Sequence, residues 1–595
     1  MFMTKVFTLI AACALTAGSA YAQQHSAMNF VGSADFYIAT MKNQTYTNIN
    51  KDTVKVTLGT GNASFALPKM VYQAMNVTVA PFTLSDLTYK MTGSFQTGDM
   101  AFTWANDGDI KTTTTDATGT EKEVTVTSFS ATYTHTTGEL TLAMTFKYGS
   151  MPFAITYETK GYYTIDNAWK LVGRGTSGNP YKIYDASDFT AMATNISANN
   201  TGAGEYFVMM NNVNFGGSAD SPVQLPAIGK AAIQSITKID YSFQGTFDAQ
   251  NDTISGIYHT NCGNDTNGKF NALFSSVGDK GSIKNLVISK DNYIKSYNYV
   301  APIVSVLAGT VEGCENYADV TATNFAASGI AGCVASAAKI TDCNNKGNIT
   351  ANTYASGICG GSVLGNITAD SYPYIYNCSN TGNISSTNGI GSAGIAGSFA
   401  GKVEKCINSG TIDDTNTNNE KGQYTGGIVA CGSKVTYVSD CTNQGEVKGL
   451  KNVGGIVGIV MNETGKVNAA ITGCTNDGAV SGKTTNVAGI VGNTAYKTYK
   501  VNISSCTNNA AVTTEQEDKS TIGNLRGSSA IVLGDGNTIA NGLTLYNLDP
   551  TTTGISNVNA AEDAEATAKT VKYFKDGQLV IKKNGKTYSV AGTEL

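Results

Sequence analysis

Apolar and polar positions alternate with a period of two between about residues 29 and 163. Val54, Val56 and Leu58 alternate with Lys55 and Thr57. Successive side chains of a β-strand point to opposite faces, so each such run predicts a strand with one buried face. Several short strands separated by turn residues predict an antiparallel barrel or sandwich. The longest run consists of Leu140, Leu142, Met144, Phe146 and Tyr148.

Farther along the chain, two short motifs alternate. The first is a Gly-Ile pair at Gly329, Gly357, Gly394, Gly427, Gly455 and Gly489. The second is Cys-x-Asn, formed by Cys314 and Asn316, Cys343 and Asn345, Cys378 and Asn380, Cys406 and Asn408, Cys441 and Asn443, Cys474 and Asn476, and Cys506 and Asn508. Successive cysteines lie 28 to 35 residues apart, a period that indicates stacked units. Because each segment is long enough for only one strand, each repeat predicts a triangular coil of a right-handed parallel β-helix.

The recurrence of Cys-x-Asn with the same internal spacing predicts a structural ladder. Cys441 and Asn443 share the inward face of a strand, whereas Thr442 faces outward. Cysteine suits a narrow buried position, and asparagine can pass an amide hydrogen bond to the next coil. Gly445 is expected to take the positive φ of a tight turn.

Disulfides are the alternative explanation of the cysteines. Equivalent positions on neighbouring coils lie about 4.8 Å apart, and their parallel Cβ vectors keep the Cβ atoms at a similar distance, outside the usual range for a bridge. A ladder of free thiols is therefore favoured. Cys262, Cys333, Cys359 and Cys431 lie off the ladder, and their pairing stays open.

The first 22 residues have the pattern of a secretory signal peptide, with cleavage expected after Ala22. A lipid anchor on Cys13 is the alternative. No other segment approaches the 18 or more apolar residues of a membrane helix, so no transmembrane helix is expected. The net charge of -5 and the lack of a basic cluster argue against a nucleic-acid partner.

Sequence motifs for catalysis or metal binding are weak. The segment 263–270, GNDTNGKF, lacks the Ser or Thr of a phosphate loop. His25, His135 and His259 are isolated, so neither metal nor cofactor is expected. The carboxylates of two acidic runs are interpreted as solvated loop charge, with the active site of a polysaccharide-cleaving enzyme as the alternative. These runs are Asp413 with Asp414, and Glu515 with Glu517 and Asp518.

The strand-rich first region resembles the calycin-like β-barrel of exported proteins from Gram-negative anaerobes. The resemblance rests on FVGSADFYIA, VTVAPFTLSDLTYKMTGSF and GELTLAMTFKYGSMPFAITYETKG. It implies a lipocalin-shaped barrel over residues 23–165. Phe102, Trp104 and Tyr133 are expected either to line a mouth for an apolar ligand or, as the favoured interpretation, to fill the interior.

The region 173–546 resembles the GLUG-type repeat β-helix of exported adhesin-like proteins. The resemblance rests on GRGTSGNPYKIYDASDFTAMATNI, FQGTFDAQNDTISGI and ALFSSVGDKGSIKNLVI, in this order. The first block also predicts a short helix capped by Asp185 or Ser187. Residues 547–570 are interpreted as a linker. Residues 571–595 resemble the carboxy-terminal β-hairpin element of proteins exported by the same bacteria, which is expected to be a sorting signal or an end cap.

These patterns together predict an all-β protein that is secreted or displayed on the surface of a Gram-negative bacterium. Its expected role is non-enzymatic and adhesin-like, with a long β-helix face that binds a glycan or protein of the host or of a bacterial surface. A β-helix lyase or glycosidase and a barrel that carries a small apolar ligand are the alternatives.

Overall fold

The structure is a computed structural model of the 595-residue chain. It describes residues 27–39, 41–42, 51–59, 61–72, 75–93, 101–134, 137–163, 168–224, 227–231, 239–260, 272–362, 371–415, 424–461, 469–484, 486–495 and 501–515, and the strand segments 531–533, 537–539, 555–558, 571–575, 578–583 and 586–589. The signal-peptide prediction, the segment 263–270, and Cys13 and Cys262 therefore lie outside the described residues.

The chain forms two compact units, one made of Met1–Ala191 with Glu205–Asn211 and the other of Met192–Gly204 with Asn212–Leu595. The first unit contains strands β1 (Met28–Ile38), β2 (Met41–Lys42), β3 (Asp52–Leu58), β4 (Asn62–Leu67), β5 (Met70–Tyr72), β6 (Val77–Val79), β7 (Phe82–Thr92), β8 (Ala101–Ala105), β9 (Ile110–Thr115), β10 (Glu121–Thr134), β11 (Glu139–Tyr148) and β12 (Ile155–Tyr163).

Eight of these strands close into an antiparallel barrel. The order is β11, β12, β1, β3, β4, β7, β8 and β10, and β10 pairs with β11 to close the circle. Burial alternates as the sequence predicts, since Val54 and Val56 are buried whereas Thr53 and Lys55 are exposed. The predicted amino-terminal barrel is therefore confirmed.

A short helix, α1 (Ala186–Asn195), follows the barrel, between two parallel strands at Tyr181–Ile183 and Tyr206–Met209. Asp185 caps it, because one carboxylate oxygen accepts hydrogen bonds from the backbone N–H groups of Ser187 and Asp188 at 2.9 and 3.1 Å. Phe189 and Met192 form its buried side.

The second unit is a parallel β-solenoid of about seven turns. Each repeating coil contributes strands to five columns. The face column contains Thr246–Asp248, Ser282–Lys284, Thr310–Glu312, Lys339–Thr341, Tyr374–Tyr376, the second halves of Ala396–Glu404 and Val429–Ser439, Ala469–Thr472, Val501–Ser504 and Ile531–Leu533. The asparagine column contains Val213–Asn214, Thr253–Ser255, Val287–Ile288, Glu315–Asn316, Asn344–Asn345, Ser379–Asn380, Ile407–Asn408, Thr442–Asn443, Thr475–Asn476, Thr507–Asn508, Asn537–Ile539 and Ile555–Val558.

The other three columns complete each coil. The third contains Tyr258–His259, Tyr293–Ser296, Asp319–Ala322, Ile349–Thr353, Ile384–Ile390, Ile412–Asp413, Val447–Gly449, Val480–Gly482 and Val512–Thr514. The fourth contains Ala327–Ser328, Ala355–Ser356, Ser392–Ala393, Thr425–Gly426, Val453–Gly454 and Val487–Ala488. The fifth contains Phe274–Val277, Val304–Leu307, Ala331–Val334, Cys359–Gly361, the first halves of Ala396–Glu404 and Val429–Ser439, Val457–Met461 and Val491–Ala495.

The parallel stacking confirms the predicted β-helix, but each coil is divided more finely than three segments. One sharp corner lies directly before the ladder cysteine, where the backbone enters the left-handed region. The residues at this corner are Gly313, Asp342, Asn377, Lys405, Asp440, Gly473 and Ser505, with φ between 52° and 65°. Asn and Asp tolerate this conformation better than most residues, and glycine has no Cβ penalty.

The expectation of a positive φ at Gly445 is wrong, because the backbone of this described residue is not in the left-handed region. A different constraint requires glycine here. A Cβ at Gly445 would lie 2.0 Å from the carbonyl oxygen of Gly410, and one at Gly478 would lie 1.9 Å from the carbonyl oxygen of Gly445. The backbones of successive coils therefore approach too closely for any side chain.

Inside the solenoid, the seven asparagines of the Cys-x-Asn motif form a hydrogen-bonded column. The Nδ2 group of Asn443 donates to Oδ1 of Asn476 at 2.8 Å and to the carbonyl oxygen of Gly445 at 2.9 Å. The same link between neighbouring asparagines recurs along the column at 2.7 to 2.8 Å. Each link satisfies a buried amide, which would otherwise destabilise the fold.

The cysteines of the motif are fully buried thiols. The Sγ–H group of Cys441 donates to the carbonyl oxygens of Ser439 at 3.2 Å and Val403 at 3.6 Å, so it satisfies backbone acceptors near the corner. Burial raises the pKa of the Cys314, Cys343 and Cys378 thiols well above the usual value. None of the ten cysteines within the described ranges forms a disulfide.

The two repeated motifs meet in the interior. A Cβ at Gly427 would lie 2.5 Å from Cγ of Asn443, and one at Gly455 would lie 2.4 Å from Cγ of Asn476. The glycine of each Gly-Ile pair thus leaves room for the asparagine column across the coil.

A three-stranded antiparallel sheet follows near the carboxy terminus, made of Val571–Lys575, Gln578–Lys583 and Lys586–Ser589. Lys575 pairs with Gln578 and Lys583 with Lys586 at the two ends of the middle strand. The Asp576-Gly577 and Asn584-Gly585 pairs, for which the sequence predicts hairpin turns, lie outside the described residues.

Replacing Cys441 by Asp should destabilise the solenoid by about 3–5 kcal/mol, because an unpaired charge would be buried between coils. Thr442→Asp, at the adjacent outward position, should stay within about 0.5 kcal/mol. Thermal and urea unfolding of both variants in reducing buffer measures the difference. Equal loss of stability in the two variants would contradict the stacked interior.

Replacing Gly445 by Ala should destabilise by about 1–3 kcal/mol, since the added methyl group would force the backbones of two coils apart. Gln444→Ala changes the exposed neighbour and should have little effect. Urea unfolding of the two variants provides the comparison. A Gly445→Ala variant as stable as the wild type would show that the coils can separate at little cost.

Candidate functional site

The three residues considered for a barrel mouth are buried inside the barrel. Phe102, Trp104 and Tyr133 are each at most 2% exposed. The Phe102 ring stacks with those of Tyr133 and Trp104, at centroid distances of 6.0 and 6.2 Å, and Phe65 meets Trp104 edge to face at 5.0 Å. The described aromatic rings pack against one another, as in a small barrel whose side chains fill the lumen.

A groove of about 360 Å³ crosses the outside of β10, β11, β12 and β1. Asp35 and Glu158 lie directly opposite each other on β1 and β12 in this groove. Lys160 lines it as well, and its ammonium group pairs with Glu139 at 2.9 Å. Two neighbouring carboxylates do not by themselves define a ligand, so we assign no function to the groove.

Within the part of the chain that the structure describes, no cluster of three or more His, Cys, Asp or Glu side chains is positioned to hold a metal. His259 is buried, and burial lowers its pKa to about 4. His25 and His135 lie outside the described residues.

The interpretation of Asp413 and Asp414 as solvated loop charge is wrong for Asp414. Asp413 ends a strand of the third column, and Asp414 turns inward and is only 1% exposed. Its carboxylate accepts hydrogen bonds from the Ser386 N–H at 2.8 Å, the Ser392 hydroxyl at 2.7 Å and the Thr425 hydroxyl at 3.1 Å. Burial raises the pKa of Asp414 to about 6, against the lowering effect of these donors.

The second acidic run is only partly described. Glu515 is exposed, whereas Glu517 and Asp518 lie outside the described residues.

The face column carries a group of side chains that we call the tyrosine patch. Alternation along each strand creates it, because Ile375, Val403 and Val438 point into the core and their neighbours point outward. The patch consists of Tyr372, Tyr374, Tyr376, Lys402, Glu404, Lys405 and Tyr437.

Parallel pairing brings the patch together from three successive coils. Tyr374 lies directly opposite Lys402, and Lys402 lies directly opposite Tyr437. The ring of Tyr372 nevertheless reaches that of Tyr437, at a centroid distance of 5.9 Å. The tyrosine rings therefore form one group, although Tyr437 is 63 positions away from Tyr374 in the chain.

Polar groups are interleaved with these rings. The Tyr374 hydroxyl donates to Glu404 Oε2 at 2.7 Å. Burial, followed by this carboxylate, raises the pKa of Tyr374 above its usual range. The Lys405 ammonium lies 5.2 Å from the centroid of the Tyr376 ring. The four tyrosines are partly exposed. Partly exposed rings beside charged groups give a surface that can contact both apolar and polar parts of one ligand.

The sequence predicts a binding face on the β-helix, but none of these residues was expected to form it. The signal is present in SYPYIY, where tyrosines at every second position share one side of a strand. The sequence does not predict that Tyr437 joins this group. Insertions of variable length between repeats hide which residues of different coils are aligned.

No family model and no curated protein matches the chain, so the calycin-like and GLUG-type resemblances stay predictions. Two solved structures are similar to parts of it. A candidate outer membrane protein from Bacteroides fragilis has 22% identity and a TM-score of 0.16, and the match covers 23% of this chain. This chain spans half the length of that protein.

The second structure is a candidate immunoglobulin A1 protease from Bacteroides ovatus, with 14% identity and a TM-score of 0.28. The match covers 67% of this chain and 84% of that one. Both similarities are too distant to support a function. None of the helices in the described ranges has the length and hydropathy needed to cross a bilayer.

Asp414→Asn should alter the pH dependence of stability. The folded-state pKa of about 6 lies above the usual aspartate value of 3.8, so the protonated carboxyl stabilises the fold at low pH and this contribution is lost as pH rises through about 6. A separation of about 2 in pKa corresponds to about 3 kcal/mol. The stability of the Asp414→Asn variant relative to wild type should therefore increase as pH rises from 4 to 8.

Urea unfolding at pH 4 and pH 8 measures this effect, with Asp413→Asn at the partly exposed neighbour as the control. An equal difference between wild type and Asp414→Asn at both pH values would show that Asp414 does not titrate in this range.

Proposed function

We propose that this chain is a non-enzymatic, exported binding protein whose solenoid recognises a glycan through the tyrosine patch. The observation that carries the proposal is the group of four tyrosines, two lysines and a glutamate on the outside of the face column. On the inside of the same coils, the cysteine and asparagine side chains of the repeat motif are buried and form the internal columns.

The chemistry of the patch suits sugars. A pyranose ring has an apolar C–H face that packs on an aromatic ring, and its rim of hydroxyl groups both donates and accepts hydrogen bonds. Tyrosine offers a large contact area with two side-chain torsions, and the lysines and Glu404 supply polar partners. Protein recognition remains compatible with the same side chains, but the alternation of rings and small polar groups favours a glycan.

The scaffold favours repeated weak contacts. Strands of successive coils hold equivalent side chains about 4.8 Å apart, in an order fixed by the backbone hydrogen bonds. Little conformational freedom of the backbone is lost on binding, which favours affinity. A polymer that contacts several coils at once gains further through its effective concentration.

The signal-peptide pattern of residues 1–22 supports export, to the cell surface or the medium. A polysaccharide of the host or of a bacterial surface is then the accessible partner. The barrel and the carboxy-terminal sheet have no assigned role in this binding.

Tyr374→Ala and Tyr437→Ala should each weaken glycan binding about tenfold, the largest effect expected for loss of one aromatic contact. Retention of the chain on an array of immobilised polysaccharides, followed by titration of each ligand found, measures this. Tyr293→Ala is the matched control, because Tyr293 is 38% exposed in the third column and stacks on Tyr258 at 4.8 Å.

Three results would contradict the proposal. Absence of binding across the array would contradict a glycan-binding function. Equal weakening of binding by Tyr293→Ala would show that the binding site is not confined to the tyrosine patch. Release of new reducing ends from a bound polysaccharide would show that the chain is an enzyme.

A further inference from the structure

One row of the face column alternates between lysine and tyrosine over four successive coils. Lys339 pairs in register with Tyr374, Tyr374 with Lys402, and Lys402 with Tyr437. The four side chains all point outward, since their strand neighbours Ile340, Ile375, Val403 and Val438 are buried. We call this row the Lys-Tyr row.

The Lys-Tyr row has a regular repeat along the solenoid axis. One strand spacing of about 4.8 Å separates each member from the next, so equivalent members recur after about 9.6 Å. In an extended β-linked polysaccharide, the advance per sugar is close to one strand spacing, and alternate sugars present the same face. A chain that runs parallel to the axis would thus place one sugar on each coil.

The two lysines of the row are open to a ligand. Both Lys339 and Lys402 are exposed. The Lys402 ammonium lies 5.9 Å from the centroid of the Tyr372 ring, a distance that leaves its hydrogen-bond donors available. Glu404, the carboxylate on the strand of Lys402, accepts a hydrogen bond from the Tyr374 hydroxyl instead.

Resting on the proposed function, we propose that the ligand is a linear polysaccharide in which an acidic sugar alternates with a neutral one. The carboxylates of two acidic sugars pair with Lys339 and Lys402, and the neutral sugars between and beyond them pack on Tyr374 and Tyr437. The polymer lies parallel to the solenoid axis, and four sugars fill the row.

The surroundings of the row select against other polymers. Asp342 and Asp440 occupy corner positions close to the face column, Lys405 occupies the same corner position on a coil between them, and all three are exposed. The three carboxylates of Asp342, Asp440 and Glu404 outnumber this one additional cation, so they repel a polymer that carries an acid on every sugar, whereas a neutral polymer leaves both lysines of the row without partners. Alternating charge is therefore the pattern that matches the row.

Oligosaccharides of defined length test this assignment on the full chain. Hyaluronan fragments supply alternating carboxylates, chitin fragments are neutral with a similar backbone, and β-1,4-linked oligomannuronates carry an acid on every sugar. By calorimetric titration, the hyaluronan tetrasaccharide should bind at least about tenfold more tightly than the disaccharide and than either comparison tetrasaccharide. Binding should also weaken as NaCl rises from 50 to 500 mM, because salt screens exposed ion pairs.

Charge-removing variants locate the contact. Lys339→Gln and Lys402→Gln should each weaken hyaluronan binding roughly three- to fivefold, as expected for an exposed ion pair. They should also reduce its salt dependence, while binding of chitin fragments stays unchanged. Lys290→Gln, at an exposed turn outside the face column, is the control. It should change neither the affinity for hyaluronan nor the salt dependence of that binding.

The outcomes separate this inference from the proposed function. Chitin and hyaluronan fragments that bind equally well, without an effect of Lys402→Gln, would overturn the alternating-charge ligand and keep a glycan-binding patch. Tighter binding of oligomannuronate would overturn it in favour of a uniformly acidic polymer. A chain that binds none of these fragments, and no polysaccharide of the array, would overturn both proposals.

Discussion

Register-aligned stacking of parallel strands is the constraint on which the rest of this structure depends. Each inward side chain of the solenoid lies about one strand spacing from its counterparts in the coils on either side. A residue type that recurs at the same inward position must therefore be able to contact copies of itself. Asparagine meets this condition because its amide is both donor and acceptor, so Asn408, Asn443 and Asn476 link head to tail at 2.8 Å.

The same constraint explains why small residues are so frequent. Gly445 is stacked between Gly410 and Gly478, where carbonyl oxygens leave no space for a methyl group. Gly427 is required for a second reason, because the Asn443 side chain occupies the volume beside it. Asp414 is an exception in this interior, since a carboxylate is held there by one backbone N–H and two hydroxyl groups. Its raised pKa reflects the cost of keeping that charge away from water.

On the outside, stacking turns single residues of separate repeats into rows. Outward positions need not match one another, because water and exposed neighbours accept any polar side chain. The Lys-Tyr row and the tyrosine patch use that freedom over Lys339, Tyr374, Lys402 and Tyr437. A binding surface can thus vary from coil to coil while the interior repeats, which separates the function of the solenoid from its stability.

The sequence by itself determined the period of the repeat and the inward and outward faces of its strands. The faces depend on adjacent positions, as for Cys441, Thr442 and Asn443, and the period can be read because this short motif recurs. Only the tertiary structure decided that Gly445 is needed for close approach, that Asp414 is buried, and that Tyr372 meets Tyr437. The physical reason is that these contacts join different coils, and their alignment is set by strand pairing across insertions of unequal length.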